Sequence, residues 1–360
     1  MVQRALALGL VSVTLLLAAC GDDTTNTSGS GGNGGSGGSG ASGGSGGSGG
    51  DGGTGGTGGT GGAGGAGGMG GAGGGMGGAG GSGGMDVDPL VGIGPVEKVE
   101  GGFNFTEGPQ WVPARGSLIF SDIPASTIFE MKPPATVTAF VSPTNNTNGI
   151  GLDEGGLLVT CEHSGRRVAR TLANGTLATI IDSYQGKKLN SPNDVIVRND
   201  GQLYFTDPPY GLGGAPSELG FNGLFHVKPG GNGTTLITKD LQRPNGVALS
   251  PDGNTLYVDD TATGELRAYT LAADGTASGG KTIATTSPNP DGMTVDELGN
   301  IYVTNDAGVE VFRSDGTLRG AIQVDEKPTN CAFGDEDRRT LYITAQKSLY
   351  RVKMVVPGLY

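Results

Sequence analysis

From Phe105 onward, apolar and polar positions alternate in short runs, and the runs recur. One run has the form Leu or Ile, then apolar or aromatic residues, then Ser, Thr or Asp. It appears as Leu118-Ile119-Phe120-Ser121-Asp122, Leu157-Leu158-Val159-Thr160, Leu203-Tyr204-Phe205-Thr206-Asp207, Leu256-Tyr257-Val258-Asp259-Asp260, Ile301-Tyr302-Val303-Thr304-Asn305 and Leu341-Tyr342-Ile343-Thr344. Gly or Asp-Gly turns stand before these runs, as at Asp200-Gly201 and Asp252-Gly253, which suits hairpins. A third run follows each one, for example Ile128 to Met131, Leu224 to Val227 and Leu349 to Val352. Five units add a fourth, such as Leu177 to Asp182 and Leu236 to Lys239.

Each unit opens on a polar signature: Thr106-Glu107-Gly108-Pro109, Thr147-Asn148-Gly149, Pro192-Asn193-Asp194, Pro244-Asn245-Gly246, Pro290-Asp291-Gly292 and Pro328-Thr329-Asn330. A repeat of roughly 40 to 50 residues with four strands describes a propeller blade. The pattern therefore predicts an all-β fold, a six-bladed β-propeller. The sixth unit lacks an outer strand, and Pro95 to Phe103 has no other partner, so this N-terminal segment is expected to close the last blade. In such a blade the inner strand comes first. The six opening signatures thus converge at one end of the central channel, with the loops carrying Asp122, His163, Asp207 to Tyr210, Asp260 and Asn305 around the same mouth.

Composition divides the rest. The chain holds 74 glycines, and about half fall between Gly21 and Met85, a stretch with no aromatic residue and no Leu, Ile or Val. Such a stretch cannot offset the entropy of ordering and is expected to be a disordered tether. Residues 1–20 read as a secretory leader with Arg4, an apolar run and Leu17-Ala18-Ala19-Cys20, which resembles a bacterial lipobox with Cys20 lipidated. The expected organisation is leader 1–20, tether 21–85 and propeller 86–360, held in the cell envelope with the membrane touched only through the lipid. The net charge of −12 and a pI near 4.6 argue against nucleic-acid binding. Three cysteines exclude a disulfide scaffold, and Cys161 and Cys331 fall in blades that are not neighbours.

The chemistry sits in the opening signatures. Glu107, Asn193, Asn245 and Asp291 bring carboxylate and amide oxygens to one rim, a donor set for a hard cation such as Ca²⁺. No His/Cys cluster indicates a zinc site of the usual kind. With Glu107-Gly108-Pro109, Ser191-Pro192-Asn193-Asp194, Pro244-Asn245-Gly246 and Pro290-Asp291-Gly292-Met293 in place, residues 95 to 353 resemble the SMP-30/gluconolactonase/LRE-like (senescence-marker-protein, regucalcin-like) family. Cys161-Glu162-His163 and Asp207-Pro208-Pro209-Tyr210-Gly211 resemble its bacterial gluconolactonase-like members in particular. The resemblance implies a divalent cation, Ca²⁺ or another such as Zn²⁺, Mn²⁺ or Mg²⁺, on Glu107, Asn245 and Asp291. The residue matching Asn193 is a ligand in some members and a substrate contact in others.

It further implies a monomeric hydrolase of small-molecule sugar lactones or esters with Asp291 as base. Asn148, Asn193, His163 and Tyr210 are expected to meet substrate, and His163 to protonate the leaving oxygen or orient the substrate. A phosphotriester hydrolase using the same site and a tethered, non-enzymatic binding propeller are the alternatives. Trp111 is expected in the core, His226 as structural, and Arg166 and Arg167 as solvated.

Overall fold

A computed structural model describes residues 86–231 and 233–359. The leader, Cys20 and the glycine tether lie outside the described residues. Among the described residues six four-stranded antiparallel sheets follow one another, over residues 106–141, 147–181, 195–238, 244–285, 293–322 and 330–353. Their inner strands touch in cyclic order, the first against both the second and the sixth, so the ring closes. The fold is the six-bladed propeller that the repeat predicts.

The second strands explain why the repeat is legible. Leu203–Asp207, Leu158–Glu162 and Ile301–Asn305 are buried at every position, because each blade is covered on both faces by its neighbours. Every pair of adjacent blades shares an apolar cluster. Trp111 of the first blade lies parallel to Tyr342 of the sixth at 6.1 Å, and Tyr302 of the fifth meets Phe333 of the sixth edge-on at 5.2 Å.

The sixth blade has the strand order Glu97–Gly101, Ser348–Lys353, Thr340–Ala345, Asn330–Gly334. Its outer strand comes from the front of the propeller, as expected. Glu97 stands opposite Arg351 in register, and their side chains pair at 2.9 Å. Phe103, just beyond, meets Phe120 at 5.2 Å and Phe129 at 5.1 Å.

Candidate active site

Bulges in the inner strands place the site residues. Glu107 faces Ser121, but Gln110 faces Ile119, so Gly108-Pro109 bulges. The same shift falls at Asn148-Gly149 and at Asn245-Gly246. In the third and fifth blades the paired strand starts only at Val195 and Met293. There the amides of Asn193 and Asp291 donate to the carbonyls of Thr206 at 2.8 Å and Thr304 at 2.9 Å. A bulge bends its strand and re-aims a side chain, which suits a residue that must leave the sheet for the axis.

The glycine after each site residue is pressed against the next blade. A Cβ on Gly246 would lie 2.3 Å from the Asp291 carbonyl oxygen, and one on Gly292 would lie 1.9 Å from Asn330 Cγ. These Asx-Gly pairs are therefore close-approach points of a ring as well as turn formers.

Six side chains meet at the top of the channel. Asn148 Nδ2 donates to Asn193 Oδ1 at 2.5 Å, and Asn193 Nδ2 donates to Asn245 Oδ1. Asn245 Nδ2 donates to Thr261 Oγ1 at 3.0 Å, and its side chain also bonds to Asp291. Asp291 lies within hydrogen-bonding reach of Glu107, whose Oε2 accepts from Asn330 Nδ2 at 3.0 Å and from the Gly108 amide at 2.8 Å. Glu107, Asn148, Asn193, Asn245 and Asn330 are buried, and Asp291 is partly exposed. Asn330, opening the sixth blade, joins the ring although its chemistry was not singled out from sequence. Its position in the repeat was the available signal.

Burial, with Asp291 beside it, pushes the Glu107 carboxyl well above the usual range. Burial also lifts Asp291 to about 7, against the opposing pull of Lys327. Two acids in contact with so little solvent cannot both stay charged cheaply. Beneath them lie further buried acids, Asp194, lifted by burial to about 7, and Asp259, pushed well above its usual range. Among the described residues no three His, Cys, Asp or Glu side chains gather as a metal cluster. The donor set is instead two carboxylates plus amide oxygens. That set fits a hard divalent cation, which would relieve the repulsion between the acids.

His163 is buried, with Nε2 3.3 Å from Asn148 Nδ2, and burial holds its ring down to about 4. Tyr210 starts a short 3-10 turn after the two prolines. It is 38% exposed, its phenol reaches the Thr261 side chain, and burial of the oxygen end raises it to about 12. The structure thus gathers Glu107, Asn148, Asn193, Asn245, Asp291 and His163 at one end of the channel, with Tyr210 at the edge. A cavity of about 590 Å³ continues along the axis below the ring, walled by Val195, Val247, Val295 and Phe333, with Asp194 and Asn330 at its upper end.

Several surrounding residues do other work. Asp122 accepts from the amides of Asn104 at 2.9 Å and Phe105 at 3.2 Å. Asp260 does the same for Gln242 at 2.6 Å and Arg243 at 3.0 Å, and Asp207 for Asn190 at 2.8 Å. These carboxylates fasten the approach to the inner strands of the first, third and fourth blades. Arg166 and Arg167 are not solvated as expected. Arg166 donates to the Leu189 carbonyl at 2.7 Å and pairs with Glu218 at 2.9 Å, while Arg167 pairs with the buried Glu162 at 2.7 Å. Arg166 finds its partners outside the blade hairpin, whereas Glu162 stands opposite Arg167 within it. His226 bonds Gln202 Oε1 at 2.6 Å and stacks on Tyr204, and Cys161 and Cys331 are both free and buried.

A family model for the SMP-30/Gluconolactonase/LRE-like region matches residues 105–347. A gluconolactonase of Zymomonas mobilis is 31% identical over 290 residues, 72% of this chain and 81% of that protein. The pentonolactonase XacC of Haloferax volcanii is 29% identical over 247 residues, 66% of this chain and 80% of that protein. The solved structure of a gluconolactonase from Xanthomonas campestris superposes with a TM-score of 0.70 at 33% identity, covering 75% of this chain and 96% of that one.

Proposed function

The chain belongs to the SMP-30/gluconolactonase/LRE-like family and is a lactone-hydrolysing enzyme, and we propose that it opens sugar lactones with Asp291 as the base. The observation that carries this reading is the meeting of the Asp291 and Glu107 carboxylates with the amides of Asn193 and Asn245 at one open end of the channel.

A divalent cation held by Glu107, Asn193, Asn245 and Asp291, with Ca²⁺ the best match to an all-oxygen set, would supply Lewis-acid polarisation of the lactone carbonyl and offset the developing oxyanion. The chain's own residues do the rest. Asp291 takes a proton from water as the water oxygen attacks the carbonyl carbon. The ring C–O bond then breaks, and the proton returns from Asp291 to the departing alkoxide. His163, held neutral by burial, serves as an orienting group beside Asn148 and not as the proton donor. Tyr210 and Thr261 wall the mouth on the side of Asn245.

The test is a panel of lactones and one phosphotriester, each followed by proton release with and without chelator. Lactone opening that chelator abolishes and Ca²⁺ restores is the expected outcome. Full lactone turnover under chelator would remove the cation from the reaction, and turnover of the phosphotriester alone would move the chain to the other ester class.

A further inference from the structure

Nearly every arginine among the described residues is matched to a carboxylate. Arg115, Arg166, Arg167, Arg170, Arg198, Arg267, Arg313, Arg319, Arg338 and Arg351 each make such a pair. In a chain of net charge −12 that is the expected fate of a guanidinium. Arg243 and Arg339 have no such ion pair, and Arg339 lies far off, on the hairpin before Thr340–Ala345. Arg243 immediately precedes Pro244-Asn245 and is exposed.

Its backbone is held on both sides. The Arg243 amide donates to Asp260 Oδ1 at 3.0 Å, and its carbonyl accepts from the Thr261 amide at 3.0 Å. Thr261 is the residue that receives the Asn245 side chain at 3.0 Å and that the Tyr210 phenol reaches. The Arg243 guanidinium is also near enough to Tyr210 to favour its ionised form. Fixed backbone, free charge and a place beside the site's wall are what an anion subsite requires. Arginine suits the task, since its planar fork matches carboxylate and phosphate oxygens.

We propose that Arg243, with Tyr210 beside it, recognises an anionic group on the substrate at the end remote from the reacting carbonyl, so that the preferred lactones carry a carboxylate or a phosphate. This rests on the lactone-opening reading above. Lys327, across the mouth, is already paired with Asp306 at 2.6 Å and offers no second free cation. An exposed guanidinium in salt water contributes modestly, so the effect belongs in binding and KM, and it weakens as ionic strength rises.

Binding of open-chain products tests this without requiring turnover. The probes are gluconate, with its carboxylate only at the reacting carbon, glucarate, with a second carboxylate at the far end, and 6-phosphogluconate, with a phosphate there. Titration calorimetry at constant Ca²⁺ and low salt should give at least one of the doubly anionic probes an affinity about tenfold above gluconate. Arg243→Ala should erase that ratio while leaving gluconate unchanged, and Arg243→Lys should keep part of it. Which of the two probes gains identifies the group as carboxylate or phosphate. A wild-type chain that binds all three alike, or an Arg243→Ala chain that keeps the ratio, overturns the proposal. Failure to open any lactone would instead sink the functional reading, and the binding ratio would still be read.

Discussion

At the scale of single residues, burial makes testable demands. The His163 ring is held down to about 4, so it enters the fold neutral. Between that value and its ordinary 6.5, the unfolded chain binds the proton that the folded chain refuses. Stability then rises with pH across this window and is lost as pH falls from about 6.5 towards 4. His163→Gln removes the effect. The stability of wild type relative to the variant, from urea midpoints, should fall by about 3 kcal/mol between pH 7 and pH 4. A difference that stays constant would mean that the ring is solvated.

Asp259 makes a second demand. Its position in the repeat is Ser or Thr in the other five blades. Ser121, Thr206, Thr304 and Thr344 donate there to the carbonyls of Asn148 at 2.8 Å, Asn245 at 2.7 Å, Thr329 at 2.9 Å and Asn330 at 3.2 Å. Asp259 accepts the Gly246 amide at 3.2 Å, and its other oxygen is buried without a partner. An unpaired buried oxygen costs about 1–3 kcal/mol. Asp259→Thr, melted in chelator, should therefore gain several degrees, roughly 2–4 °C per kcal/mol. A lower melting temperature would show that the carboxylate is satisfied.

At the scale of elements, the strand Glu97–Gly101 carries the closure of the ring. It is tied further forward, since Asp86 pairs with Arg319 at 2.6 Å and also with Arg313. Leu90, Ile93 and Val96 pack on the core shared by the fifth and sixth blades. A chain beginning at Asp86 should fold. One beginning at Phe105 exposes an edge and loses these contacts, and its melting temperature should drop by roughly 10 °C or more. Equal melting temperatures would show that the strand closes nothing.

The strands most legible in the sequence were the second ones, because burial on both faces imposes a nearly unbroken apolar run ending in a polar residue. The inner strands were legible only as polar signatures. Bulges at Gly108-Pro109, Asn148-Gly149 and Asn245-Gly246 break the alternation there, and the glycines answer to a neighbouring blade far along the chain. For the same reason Glu218, the partner of Arg166, could not be read locally, because it lies in the long loop of the third blade.

At the scale of the whole molecule, closing the ring is what creates the site. Asn330 meets Glu107 across 223 positions of sequence, and Asp291 meets Glu107 only because the first and sixth blades are joined. The six openings of the repeat made the convergence foreseeable. The proton affinities, the buried acids beneath the ring and the free charge of Arg243 arise from burial and pairing that no period encodes. In the proposed reaction Asp291 moves the proton within this ring. Asp291→Asn keeps the size and one oxygen but cannot take a proton. The direct measurement is kcat for lactone opening at saturating Ca²⁺, with bound ion quantified in the same sample. The variant is expected to hold its ion while kcat falls by about 10² to 10⁴. A variant that holds its ion and opens lactone at close to the wild-type rate would contradict that role for Asp291.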